Sequence, residues 1–280
     1  MASQPPKTTE YVLGYSEREA KRLQMQAQFL RGCTERLFRH AGLGDGMRVL
    51  DVGCGAGDVA MLTADLVGPT GTVLGVDRDA GSIARARQRA AERGYAQRVS
   101  FECLDLTEFR GAEKFDAVVG RYILLYQRDP AASLRHLATM VRPGGRIAFH
   151  EVDFSATARM HEAPPLWDAM FTLAGEAFRS GGADPAFGLK VTQAFLGAGL
   201  GWPSIHAEVP VGGEPGSFLY SWLAEMVRSI LPAAEKAGLA RAEDIGIDTL
   251  AERLEEEGTR LRAQVTAGTQ FGAWVRLPEA

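Results

Sequence analysis

Short apolar runs alternate with helical stretches over residues 48–153, and this alternation restricts the chain to one broad architecture. The runs are RVLDVG (48–53), TVLGVD (72–77), VSFECLD (99–105), FDAVVG (115–120) and RIAFHEVD (146–153). Between them lie DVAMLTADLVG (58–68), SIARARQRAAERG (82–94) and a helix opened by Asp129-Pro130 that carries Leu134, Leu137 and Val141. Strands separated by helices of this length form βαβ units and a parallel sheet with both faces covered. The runs lack a clean polar/apolar alternation, as strands buried on both faces do.

The flanks are less regular. Residues 1–10 read as a polar tail. Ser16-x-x-Glu19 is a capping box that starts a helix, and Leu23, Ala27, Leu30 and Leu37 carry it to about His40. Gly32 is expected to split this helix. LGDGM (43–47) and RPGG (142–145) punctuate the chain as turns. Further on, helices are expected over 163–182, 189–201, 218–231 and 247–265, with strands at 204–211 and 270–278.

Composition removes several function classes. Lys plus Arg is 31 against 35 for Asp plus Glu, so no basic surface for nucleic acid is expected. The 3 cysteines, Cys33, Cys54 and Cys103, form no C-x-x-C pair, which argues against a structural zinc or a disulfide framework. No metal site is expected. The first residues have no apolar core for a signal peptide, and no apolar run approaches the ~18 residues of a membrane span. A reducing cytoplasm is the expected setting.

The glycine loop DVGCGAGD (51–58) joins the first strand to the first helix of the alternating unit. Gly53, Gly55 and Gly57 allow a tight turn and close approach to a ligand, and the helix beyond offers free N–H groups. The dinucleotide fingerprint G-x-G-x-x-G fails here, because Asp58 stands in the sixth position. The acidic Asp51 ahead of the loop suits a ligand bearing an ammonium. Asp77 ends the second strand, where a carboxylate can accept hydrogen bonds from a ribose diol. Asp105 follows the third strand, within reach of an adenine amino group. The carboxyl ends of adjacent strands in such a sheet converge on one ligand crevice.

These motifs resemble the class I S-adenosylmethionine-dependent methyltransferases. DVGCGAG is similar to that family's glycine motif, GVDRD (75–79) to its ribose motif and CLDL (103–106) to its adenine motif. The opening YVLGYSERE (11–19) resembles a subset that acts on small molecules and closes an N-terminal helix over the cofactor. The resemblance implies an α/β, Rossmann-like seven-stranded sheet of order 3-2-1-4-5-7-6, with the last strand antiparallel. It divides the chain into a lid segment (1–42), a core (43–211 and 269–280) and a helical cap insertion (212–268). It also implies S-adenosylmethionine as cofactor. Asp51, Gly53, Cys54, Gly55 and Gly57 would surround the amino-acid end, Asp77 and Arg78 the ribose, and Asp105 and Leu106 the adenine. Tyr11 and Tyr15 would cap the methionine carboxylate, and Arg121 would sit where cofactor and acceptor meet.

The expected reaction is methyl transfer to a small molecule, an in-line displacement that depends mainly on alignment. Arg121 and Tyr122, in GRYILLY (120–126), Glu151 in HEVDF (150–154), and His161 are the expected catalytic residues. Paired acids at a strand end, with Trp167, Phe171, Phe178, Tyr220 and Trp222 above, lean toward an amine acceptor; O- and C-methylation stay open. A non-catalytic cofactor-binding protein and an NAD(P)-dependent oxidoreductase are the alternatives, although no tyrosine here is followed by lysine four residues on. No nucleic acid or membrane is expected as partner, and a homodimer is left open.

Overall fold

A computed structural model of the chain describes residues 17–106, 109, 114–155 and 163–279. The order of elements is α1 (Glu17–His40), β1 (Arg48–Val52), α2 (Asp58–Leu66), β2 (Thr72–Asp77), α3 (Ala80–Glu92), β3 (Val99–Cys103), β4 (Phe115–Arg121), α4 (Pro130–Ala138) and β5 (Val141–Asp153). Then come α5 (Pro165–Ser180), α6 (Val191–Gly197), β6 (Ser204–Glu208), β7 (Val211–Gly212), α7 (Phe218–Lys236), α8 (Ala242–Ile245), α9 (Leu250–Leu261), β8 (Val265–Thr266) and β9 (Thr269–Arg276).

The main sheet has the order β3-β2-β1-β4-β5-β9-β6. Strands β1 to β5 run parallel, and β9 runs antiparallel to both β5 and β6. This is the expected topology, with β9 as the seventh strand of the sheet. Successive side chains along a strand face opposite sides. Leu50, Val52, Val118, Ile147 and Phe149 therefore enter one buried core, while Val49, Val73, Ala117, Val119 and Ala148 enter the other. The central strands β1 and β4 read as nearly continuously apolar because each face has its own helical layer.

Several local expectations are corrected. Helix α1 passes through Gly32 without a break, since its apolar face, with Leu30, Leu37 and Phe38 buried, outweighs the roughly 1 kcal/mol that glycine costs a helix. RPGG does not precede β5 but lies inside it, as an irregularity in the pairing with β4. The strand expected over 204–211 breaks after Glu208, and β7 leaves to pair with β8 in a separate two-stranded sheet. Helix α7 continues past 231 through Pro232. Ser16 of the capping box lies outside the described residues.

Helices α5, α7 and α9 pack on one another, and α7 also touches α1. Their aromatic residues form a buried stack, with ring centroids 5.6 Å apart for Trp167 and Phe171, 6.1 Å for Trp167 and Tyr220, and 6.0 Å for Phe171 and Trp222. No described helix is long and apolar enough to cross a membrane.

Candidate active site

A cavity of about 690 Å³ opens along the carboxyl ends of β1, β2, β3 and β4 and continues beneath α1, α5 and α7. One end is walled by Gly53 to Ala56, Asp77, Arg78, Asp105 and Leu106; the other by Leu23, Gln26, Tyr122, Tyr126, Phe154, Phe178 and Met226. Arg121 also lines it.

The glycine loop owes its shape to backbone angles that L side chains rarely adopt. Gly53 has φ +62°, and a Cβ there would lie 2.1 Å from Ile123 Cδ1. Gly57 has φ +83° and caps α2, where a Cβ would meet Phe101 at 2.8 Å. Asp77 ties the loop to β2: its Oδ2 accepts from Gly55 N at 2.9 Å and its Oδ1 from Asp79 N at 2.9 Å. Each oxygen keeps a second lone pair. Asp58, at the start of α2, forms an ion pair with Arg89 at 2.6 Å.

Asp51 is the anomaly of the site. It is 1% exposed, and neither carboxylate oxygen has a hydrogen-bond partner. Burial pushes its carboxyl well above the usual range; nearby Arg121 and the Ala60 N–H, which falls outside hydrogen-bond geometry, offset this only in part. Asp51 lies behind the glycine loop and does not itself line the cavity. Buried polar groups are almost always satisfied, so an orphaned carboxylate there fits a ligand whose positive group reaches past the loop. The donor set therefore accommodates the amino-acid end of S-adenosylmethionine.

Other expected site residues go elsewhere. Glu151 does not line the cavity. It is fully buried and accepts from the backbone N–H groups of Ile123 at 3.0 Å, Leu124 at 2.8 Å and Leu125 at 3.4 Å, so it holds the 3-10 turn Leu124–Tyr126. Burial raises its carboxyl to about 8 despite those donors. Asp153 is also buried and accepts from Ser155 Oγ at 2.9 Å. Tyr11, Tyr15 and His161 lie outside the described residues. Cys54, by contrast, is a buried residue of the glycine loop and lines the cavity. Among the described residues no group of acidic, histidine or cysteine side chains could hold a metal.

Glu151 carries a pH consequence. Its folded value of about 8 lies above the ordinary value of 4.5, so the native state holds a proton that the unfolded chain has released in between. The associated stability is complete below about 4.5 and lost as pH rises through about 8. The slope from this group is at most about 1.4 kcal/mol per pH unit. Urea unfolding from pH 5 to 8 is expected to show Glu151→Gln losing less stability with pH than wild type. Parallel slopes for the two proteins contradict this.

Some cavity residues carry no sequence signal. His136 reaches the wall from α4 and bonds the Leu106 carbonyl at 3.2 Å. Gln26 comes from α1 and Met226 from α7, while Phe178, from α5, is one of the expected aromatics. His136, Gln26 and Met226 each look like one more position on an amphipathic helix.

Residues 43–181 match the family model of the methyltransferase domain. The aklanonic acid methyltransferase of Streptomyces sp. (strain C5) is 39% identical over 112 residues, which are 40% of this chain and 50% of that protein. A ubiquinone/menaquinone biosynthesis C-methyltransferase of Pseudomonas putida is 29% identical over 56% of this chain and 64% of its own length. The chain thus spans between half and two thirds of these two curated relatives. In fold, it resembles the cyclopropane-fatty-acyl-phospholipid synthase-like protein of Lactobacillus casei, with a TM-score of 0.58 at 16% identity over 96% of this chain and 98% of that one. Sheet order, glycine loop and family match agree: residues 43–181 resemble a methyltransferase domain of the class I, S-adenosylmethionine-dependent type.

Proposed function

We propose that the chain transfers a methyl group from S-adenosylmethionine to a small molecule. One observation carries this reading: a single cavity runs from the glycine loop to an apolar chamber under α1, α5 and α7, so donor and acceptor share one enclosure. When bound, S-adenosylmethionine supplies a methyl group activated by its sulfonium. In this reading Asp51 and the loop from Gly53 to Gly57 face its amino-acid end. Asp77 and Arg78 hold the ribose, Asp105 and Leu106 border the adenine, and Arg121 stands at the junction with the acceptor. The segment 212–268 and α1 together cover the chamber. That cover excludes water and holds the nucleophile in line, which is most of what a displacement asks of the protein.

The acceptor end favours a neutral, ring-bearing molecule over an amine cation. Its wall is Leu23, Leu125, Tyr126, Val152, Phe154, Phe178 and Met226, with Gln26 and Tyr122 as its neutral polar groups. The carboxylates that suggested an amine, Glu151 and Asp153, are occupied with backbone N–H groups and Ser155. One matched relative is a C-methyltransferase by name, so nothing ties the reaction to nitrogen.

Calorimetry with S-adenosylmethionine, S-adenosylhomocysteine and NAD tests the cofactor assignment. Binding of the first two and no response to NAD is expected; the reverse overturns it. Turnover against a panel of phenols, enols and amines then tests catalysis. Cofactor binding with no methylated product from any member would leave the chain a binding protein of this fold.

A further inference from the structure

Behind the cavity wall lies a chain of buried hydrogen bonds that begins and ends on wall residues. Tyr122 donates its phenol O–H to Gln270 Oε1 at 2.5 Å. Gln270 Oε1 also meets His150 Nε2 at 3.1 Å. His150 Nδ1 meets Thr34 Oγ1 at 2.9 Å, and Thr34 accepts from Arg121 Nη1 at 3.2 Å. Gln270 and His150 are each 2% exposed and Thr34 is fully buried. Tyr122 and Arg121 line the cavity.

The direction of the bonds at Tyr122 and His150 Nε2 follows from Gln270. Its Nε2 faces two backbone carbonyls, Ala267 at 3.3 Å and Gly268 at 3.2 Å, so its Oε1 faces Tyr122 and His150. An amide oxygen only accepts. The Tyr122 hydrogen is therefore committed to Gln270, and His150 carries its proton on Nε2. Burial, with Arg121 nearby, pushes the imidazole down to about 3, so the ring is neutral and its Nδ1 is bare. The single Thr34 hydrogen is shared between the bare Nδ1 and the Leu30 carbonyl, 3.0 Å from Oγ1, and the Thr34 oxygen accepts from Arg121.

Two further facts point to function. Tyr122 sits at φ +58°, an outlier for a bulky residue, and such strain collects at ligand sites. Its ring is also braced edge-on by His150, with centroids 5.6 Å apart. With its hydrogen committed, any hydrogen bond that Tyr122 forms with a molecule in the cavity is one it accepts.

We propose that Gln270 and His150 are positioning residues that fix the Tyr122 phenol as a hydrogen-bond acceptor for the O–H or N–H of the incoming nucleophile. This rests on the methyltransferase reading above. No group of the relay is basic enough to keep the nucleophile's proton near neutral pH, so the phenol orients the nucleophile and does not deprotonate it.

The test uses 2-naphthol and 2-fluoronaphthalene, aromatic probes with and without an O–H, titrated into the full chain saturated with S-adenosylhomocysteine. A neutral hydrogen bond contributes about 0.5–1.5 kcal/mol, so the preference for 2-naphthol is expected to fall roughly three- to tenfold in Tyr122→Phe. It should fall similarly in Gln270→Leu and persist in Gln270→Glu, which keeps an accepting oxygen. Tyr122→Phe leaves the buried amide intact and serves if Gln270→Leu does not fold. An unchanged preference in Tyr122→Phe, or no binding of 2-naphthol to wild type, overturns the proposal. Failure of wild type to bind S-adenosylhomocysteine instead overturns the methyltransferase reading.

Discussion

Asp77→Ala is expected to weaken S-adenosylmethionine binding by roughly ten- to a hundredfold. The carboxylate sits at the end of β2 on the cavity wall, and each of its oxygens already accepts one backbone N–H, from Gly55 and from Asp79. A ribose diol would take the remaining lone pairs. Hydrogen bonds to charged groups contribute about 1.5–3 kcal/mol, and about 1.4 kcal/mol is tenfold in affinity. Alanine removes the acceptor and also frees the loop that Asp77 holds. Calorimetry on a variant that melts like wild type checks this, and unchanged affinity would refute the assignment.

The second large effect concerns Asp51 and runs in two directions at once. Asp51→Ala is expected to stabilise the ligand-free protein and to weaken its hold on S-adenosylmethionine. Both carboxylate oxygens are buried without a hydrogen bond, and leaving such a group unsatisfied costs on the order of 1–3 kcal/mol. Its removal should raise Tm by on the order of 2 °C or more in a chain of this size. If the orphaned carboxylate meets the ligand's ammonium, affinity for S-adenosylmethionine falls about tenfold or more. Affinity for 5′-methylthioadenosine, which lacks the amino-acid end, should stay as it was. Equal losses for both ligands would mean that Asp51 shapes the loop and does not face the ammonium. A lower Tm would mean that the buried carboxylate pairs with Arg121 more strongly than its missing hydrogen bonds suggest.

The two predictions rest on residues that were legible in the sequence, and the further inference rests on residues that were not. The difference is one of range. Gly53, Gly57, Asp77 and Asp105 lie within a few residues of a strand end, and turn chemistry with apolar periodicity places strand ends. Parallel strands joined by helices then bring those ends to one edge of the sheet, so a crevice follows from local signals alone. The order of the sheet followed from the family motifs that the same loops carry.

Glu151 shows where local reasoning stops. Its place at the carboxyl end of β5 was clear from the alternation, but its partners are the N–H groups of Ile123, Leu124 and Leu125, 26 to 28 residues away. A turn with three free donors has no signature in HEVDF, so the carboxylate reads as a catalytic acid when it is a brace.

The relay behind Tyr122 is further out of reach. His150 meets Gln270 across 120 residues and Thr34 across 116. It forms only because β9 returns antiparallel beside β5, with Gln270 opposite Val152, and because α1 lies over both strands. In the sequence His150 is a polar interruption of an apolar strand, Gln270 the start of another and Thr34 a helical residue like its neighbours. Amino-acid order determined the loops, the strands and the ligand edge, because those depend on contacts short in sequence. Register and helix docking decided which buried polar groups meet, because a hydrogen bond is set by tenths of an ångström between chains that no local pattern relates.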